Sequence, residues 1–216
     1  MNRKREICRD RQKNKNKNKR GQDSNKALES TIEGLRLEIN DRDQELLSND
    51  VEIVGIPEEN GESVDHLVLT CVNTIGVALD ERDIVSCARF GRLYGMVDGQ
   101  QPRPRPVVVR LAHRATRDKI LRAARVRRTI TTEGMGLRSN PQRLHINERL
   151  TRTNRRLFYL AREAARRLGW RFTWTRDGRI FTRRGHGTSA HRIRVEADLD
   201  KVFGSNTVSS DNTDQK

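Results

Sequence analysis

The chain has 216 residues, of which 33% are hydrophobic, so it has room for one or two small domains with tails around a modest core. Its formal net charge of +15 favours a nucleic-acid or anionic-surface partner over an acidic small molecule. Cys8, Cys71 and Cys87 are odd in number and form no C-x-x-C pair, which argues against a disulfide framework or zinc ribbon and for a reducing compartment, cytoplasmic or nuclear. No leader and no apolar run of membrane-span length is present, so a soluble, unsecreted protein is expected.

Residues 1–26 alternate Lys with Asn and offer almost nothing to bury, and are expected to be a disordered basic arm. From residue 27 to 49 the pattern becomes Leu28, Ile32, Leu35, Ile39, Arg42 and Leu46, a heptad seam with Ile at a and Leu at d. A short coiled-coil helix follows from it, self-associating through Leu28, Ile32, Leu35, Ile39 and Leu46 as a dimer or trimer. Arg42 interrupts the seam, and Arg36, Glu38, Asp43 and Glu45 fall where interhelical charge pairs would choose the partner. A lone amphipathic helix docked on its own domain is the alternative.

Val51-Glu52-Ile53-Val54 opens a strand closed by Gly55 and Pro57. Ser63 then caps a helix whose apolar residues Val64, Leu67, Val68, Cys71, Val72 and Ile75 share one face, which places Cys71 in a core. A second strand spans Ile84–Phe90, and a loop from Gly91 ends in Pro102-Arg103-Pro104-Arg105-Pro106, whose two arginines project outward from an extended segment. Strand Val107–Leu111, a helix from Ala115 to about Arg127 and a strand near Arg143–Ile146 complete a β-α-β-β-α-β order over residues 50–146. That order is the ferredoxin-like, RNA-recognition-motif (RRM-like) topology. Its central strands carry no aromatic residue, so nucleic acid would be held by charge and not by stacking on this sheet.

Residues 147–204 read as a small basic C-terminal α+β domain, and residues 205–216 as a disordered polar tail. Asn147 is expected to cap a helix of about 21 residues ending at Gly169, with Leu150, Leu157, Ala161, Ala164 and Leu168 on one face. Arg152, Arg155, Arg156, Tyr159, Arg166 and Arg167 lie on or near the other, the arginines interrupted only by Glu148 and Glu163, so this face is a candidate nucleic-acid surface. Trp170, Phe172 and Trp174 alternate along a strand before an Asp177-Gly178 hairpin turn. They read either as a base-stacking platform or, by the cost of leaving aromatics wet, as cover for the leucine face of the helix; the second is favoured. From 101 to 194 there are 26 basic residues, all but Lys119 arginine, against five acidic ones. Arginine's planar fork grips phosphate and stacks on bases in a way lysine does not.

The combination of the heptad seam with Asn49-Asp50-Val51-Glu52-Ile53-Val54-Gly55-Ile56-Pro57, the Pro102–Leu111 stretch, the helix around Arg117–Arg128 and a small basic C-terminal domain resembles the first-open-reading-frame protein of LINE-type non-LTR retrotransposons. Ile146–Phe172 and Arg176–Phe181 resemble the C-terminal domain of the baculovirus few-polyhedra (FP) protein more closely still. The resemblance implies a self-associating single-stranded RNA or DNA binder, RNA preferred, with nucleic-acid chaperone activity in a ribonucleoprotein particle. It implies RNA contacts at Arg89, Arg92, Arg103, Arg105, Arg122, Arg125 and Arg128. An interaction or trafficking adaptor binding acidic protein or nuclear membrane partners is the alternative. Its short seam departs from the longer trimeric coiled coil of LINE-type proteins.

No catalytic set is expected. Glu58, Glu59, Glu62 and Asp65, or Asp80, Glu81 and Asp83, are the acids a Mg²⁺ nuclease would need, but they read as caps and loop flanks, and no zinc, nucleotide loop or other cofactor site is apparent. Neither a small-molecule substrate nor membrane insertion is expected. The interface expected from sequence is a cleft between the two folded domains, with the Arg152–Arg167 helix as one wall.

Overall fold

The computed structural model describes residues 2–92, 103–127 and 129–204, with the backbone alone for residues 2–18. Arg128, most of the Gly91–Arg105 loop and the 205–216 tail lie outside them. The chain divides into two units, residues 1–43 and residues 44–216. Among the described residues it is a mixed α+β protein with five α-helices and two antiparallel sheets. No described helix is long and apolar enough to cross a membrane.

Helix α1 runs unbroken over Asn2–Leu46. Where the composition suggests a disordered arm to residue 26, the structure continues the helix through it. Lys, Arg, Gln and Glu are good helix formers, no proline precedes Pro57, and the interior glycines Gly21 and Gly34 cost only about 1 kcal/mol each. Leu28, Ile32, Leu35 and Ile39 are all exposed on it, between 49% and 59%, and Arg42 donates to Glu38 at 2.7 Å.

In residues 44–216 the larger sheet has the strand order β2-β3-β1-β5-β4, from β1 (Asp50–Val54), β2 (Ile84–Arg89), β3 (Val107–Leu111), β4 (Ile130–Thr131) and β5 (Arg143–Glu148). Helices α2 (Val64–Thr74) and α3 (Arg114–Val126) supply the apolar layer on one face. Val51 and Ile53, Val107, Val109 and Leu111, and Leu144 and Ile146 point into it, the alternation that a pleated strand imposes. Ser63 caps α2, accepting from the His66 amide, and Cys71 is buried there. Burial pushes the Cys71 thiol up to about 12, as expected of a core cysteine. Gly55, at φ 101°, is required: a Cβ there would strike the Arg143 carbonyl oxygen.

The second core is built by α4 (Arg152–Arg167), the hairpin β6 (Phe172–Arg176) and β7 (Arg179–Arg183), β8 (His191–Ile193) and α5 (Glu196–Phe203). Leu157, Ala161, Ala164 and Ala165 of α4 pack on Ile180, Ile193, Leu199 and Phe203. Asn147 does not cap this helix; it lies within β5, and Thr151 is the cap, accepting from the Asn154 amide. The strand needed two more residues to bring Glu148 to its place, so α4 is 16 residues long, about 24 Å at 1.5 Å per residue. Leu168 is 43% exposed and not part of the apolar face, because the helix has ended at Arg167. Asp177 and Gly178 both have positive φ, 53° and 70°, which is the two-residue turn that a twisted hairpin favours.

Candidate nucleic-acid interface

An arginine can grip phosphate only if its fork is free, so the partners of each candidate decide its role. Arg89 has none to spare. Its side chain is 5% exposed, and its five N–H groups make five hydrogen bonds: to both Glu62 oxygens at 2.8 Å, and to the carbonyls of Ile56, Arg105 and Pro57 at 2.7, 2.9 and 2.8 Å. It ties two loops to the end of β2, with no N–H left over for a phosphate. Arg105 does not project outward either. Its Nε and Nη2 donate to Glu58 Oε2 at 3.0 and 2.7 Å, and its amide to Oε1 at 2.6 Å. The hydrogen bonds from Arg105 and Arg89 hold the Glu58 and Glu62 carboxyls below their usual range.

The supposed cleft between the two cores is filled by a polar network. Glu148, at the end of β5 and 5% exposed, accepts from Arg125 at 3.2 Å and from the amides of Asp177 and Gly178 at 3.2 and 2.9 Å. The buried Arg117 stands 3.7 Å from the same carboxylate and donates to Asp118 at 2.8 Å, while Arg114 donates to Asp177 at 2.8 Å. Gln44 bridges the Arg149 carbonyl, the Thr151 amide and the Asn154 side chain, and Asn154 donates on to the Gly178 carbonyl. Over the other face of the larger sheet, Arg155 Nη2 donates to both Glu52 oxygens at 2.9 and 3.0 Å, and Arg110 and Arg149 reach Asp50. Arg125 and Arg155 are therefore struts between the two cores, though each remains about half exposed.

What is left is a different surface. Arg92, Arg103, Arg122 and Arg152 are exposed with no partner among the described residues. Arg156 and Arg166 hold exposed pairs with Glu196 and Glu163, at 3.1 Å each, which are worth little in water and can be exchanged for a phosphate. Arg167 is exposed on the same helix. Between α4 and β6 runs a groove of 710 Å³ lined by Arg155, Phe158, Tyr159, Arg162, Arg166, Trp170 and Arg171 among others. Tyr159 is 60% exposed, and the Arg162 guanidinium lies 5.8 Å from the Phe158 ring centre.

The aromatic strand divides between the two faces of its sheet. Trp170 does join the second core, edge-on to Phe203 at 4.8 Å. Phe172 and Trp174 do not cover α4. In the hairpin register Thr173 and Thr175 lie opposite Thr182 and Ile180, on the α4 side, whereas Phe172 and Trp174 lie opposite Arg183 and Phe181, on the far side. A hollow of 310 Å³ at the β6 edge is lined by Arg171, Phe172, Thr173, Trp174 and Arg183. Phe158, Arg162, Arg171 and Arg183 thus line the hollows without belonging to the set expected from sequence. The available signal was the pairing across Asp177-Gly178, which puts two aromatics, a third and an arginine on one face.

The candidate acids of a nuclease are engaged elsewhere. Glu58 and Glu62 hold arginines, Glu59 accepts from the Arg138 amide, Asp65 from the Cys87 thiol, and Asp80 caps a short 3₁₀ turn. Among the described residues no group of three or more His, Cys, Asp or Glu side chains could hold a metal ion.

Thr151, the α4 cap, and Phe203, the last residue of α5, bound a segment with its own apolar core. Residues 151–203 match the family model of baculovirus FP protein domain 2. The FP domain 2 match therefore covers α4, the three-stranded sheet and α5 with both hollows, and leaves out α1 and the five-stranded sheet. No curated protein matches the chain.

Proposed function

We propose that the chain is a non-enzymatic, sequence-tolerant single-stranded nucleic-acid-binding protein of retroelement descent, RNA preferred, with chaperone activity and self-association through the α1 seam. The observation that carries this reading is the arginine surface of the FP domain 2 segment. Its buried-side arginines are matched by acids, yet Arg152 and Arg162 stay exposed and unmatched, and Arg162 lines the aromatic groove. Such a charge is costly to keep unless a polyanion neutralises it. The exposed Leu28, Ile32, Leu35 and Ile39 support association, since a regular apolar stripe in water is a surface waiting for a partner helix. Antiparallel pairing in the order β2-β3-β1-β5, with α2 and α3 on one face, supports the ferredoxin-like, RRM-like reading of residues 50–146, with β4 added at an edge.

Filter binding of a labelled single-stranded RNA across a salt series tests it. Affinity should fall with a log-log slope of about −0.7 per contacted phosphate, and Arg122→Ala with Arg152→Ala should make that slope shallower. Absent or salt-insensitive binding refutes the reading. An acidic protein partner that RNA fails to displace would favour the adaptor reading instead.

A further inference from the structure

We propose that the face of the β6–β7–β8 sheet turned away from α4 is a stacking platform for unpaired bases, with Trp174 and Phe172 as its π surfaces and Arg183 beside them. The inference rests on the nucleic-acid reading above and gives it a base-contacting site separate from the phosphate-contacting arginines. The register places Phe172, Trp174, Arg176, Arg179, Phe181 and Arg183 on this one face. Ile180 and Ile193, which occupy the opposite face, are already buried against α4 and α5, so the aromatic face is not needed to close the core.

Its chemistry suits a base better than an apolar helix. Trp174 lies nearly parallel to Phe181, ring centres 5.7 Å apart and planes inclined by 20°, so a flat aromatic ledge is already assembled. The Arg183 guanidinium sits 4.6 Å from the Phe172 ring centre and 6.0 Å from that of Trp174, and Arg171 is 5.8 Å from Phe172. From Trp170 to Arg194 there are seven arginines and one acid, Asp177, and that acid is held by Arg114 at the turn. Phe172 and Trp174, two residues apart on one strand, are separated by roughly 7 Å, enough to engage neighbouring nucleotides. Bases in a duplex are stacked on each other and cannot reach such a ledge, whereas every unpaired base has a π face to offer, so the platform selects single strands without reading sequence.

The test uses the full chain and three probes of equal length: oligothymidylate, the same backbone without bases, and a duplex. Wild type should bind oligothymidylate most tightly, with quenching of tryptophan fluorescence that the abasic strand does not cause. Trp174→Leu should lose roughly 5- to 150-fold in affinity for oligothymidylate, together with most of the quenching, and keep its affinity for the abasic strand. Trp174→Phe, which retains a π face, should recover much of the loss, and this separates stacking from a general disturbance of the hairpin. Unchanged oligothymidylate affinity in Trp174→Leu, or equal losses in the leucine and phenylalanine variants, overturns the platform while leaving phosphate binding in place. Quenching by polyglutamate but not by oligothymidylate also overturns it, in favour of an acidic protein partner. If wild type binds none of the three strands, the broader function fails with it.

Discussion

Arg89→Ala should unfold the protein long before it affects nucleic acid. The alanine removes five hydrogen bonds at once and leaves Glu62, 14% exposed, without its counter-ion, along with three carbonyls that Arg89 now satisfies. Summing five bonds would overshoot, because each replaces a bond to water; the measured cost of breaking one buried ion pair, about 3–5 kcal/mol, is the better guide. In a unit of this size that lowers the melting temperature by roughly 6–20 °C. Lysine should rescue little, since three donors on a point charge cannot meet five acceptors arranged around a planar fork. Replacing both partners, Arg89→Met with Glu62→Gln, should cost less than Arg89→Ala alone, because no charge is then stranded. Thermal melts followed by circular dichroism supply the first number and RNA titration below the melt the second, where the salt slope should match wild type. An Arg89→Ala protein that melts with wild type and loses RNA affinity would refute the assignment and return Arg89 to the interface.

Glu148→Ala should destabilise by about 1–3 kcal/mol, read as a shift in urea midpoint, since it leaves the amides of Asp177 and Gly178 unpaired and takes one acid from the buried Arg117, which keeps Asp118; a shift no larger than that of an exposed-site control would show the network to be idle. Glu58 and Glu62 titrate lower when folded than when unfolded, so their stabilisation is complete above the ordinary carboxylate value of 4.5 and is lost as the pH falls through their lowered values. The stability gap between wild type and Glu58→Gln/Glu62→Gln should accordingly close in acid, and a gap that widens there would reverse the sign of the argument. Ile32→Asp with Leu35→Asp should reduce the mass seen by light scattering to that of one chain, leaving the melt of residues 44–216 in place; an unchanged mass would move the self-association elsewhere.

Much of the architecture follows from local pattern. The helical face of Val64–Ile75, the alternation in Val107–Leu111 and the Asp177-Gly178 turn each carry their geometry within a few residues, and each stands where that geometry puts it. The cap of α4 is Thr151 and not Asn147, although asparagine is the better cap chemistry, because β5 pairs with β1 as far as Glu148 and takes Asn147 into the strand.

Sequence by itself determined the charge, the richness in arginine over lysine and the apolar stripe of α1. Tertiary structure decided which arginines remain for a ligand. Arg89 and Arg122 are indistinguishable as letters, yet one is saturated by a glutamate 27 residues away and the other is open to water. A net charge carries no distances, and an ion pair depends on little else, so the acids that neutralise Arg89 and Arg155 became identifiable only once the sheet had brought them together. The hairpin makes the same point. Period two separates Phe172 and Trp174 from Thr173 and Thr175, but it was the packing of α4 on Ile180 that chose the threonine side for the core and left the aromatic side facing out.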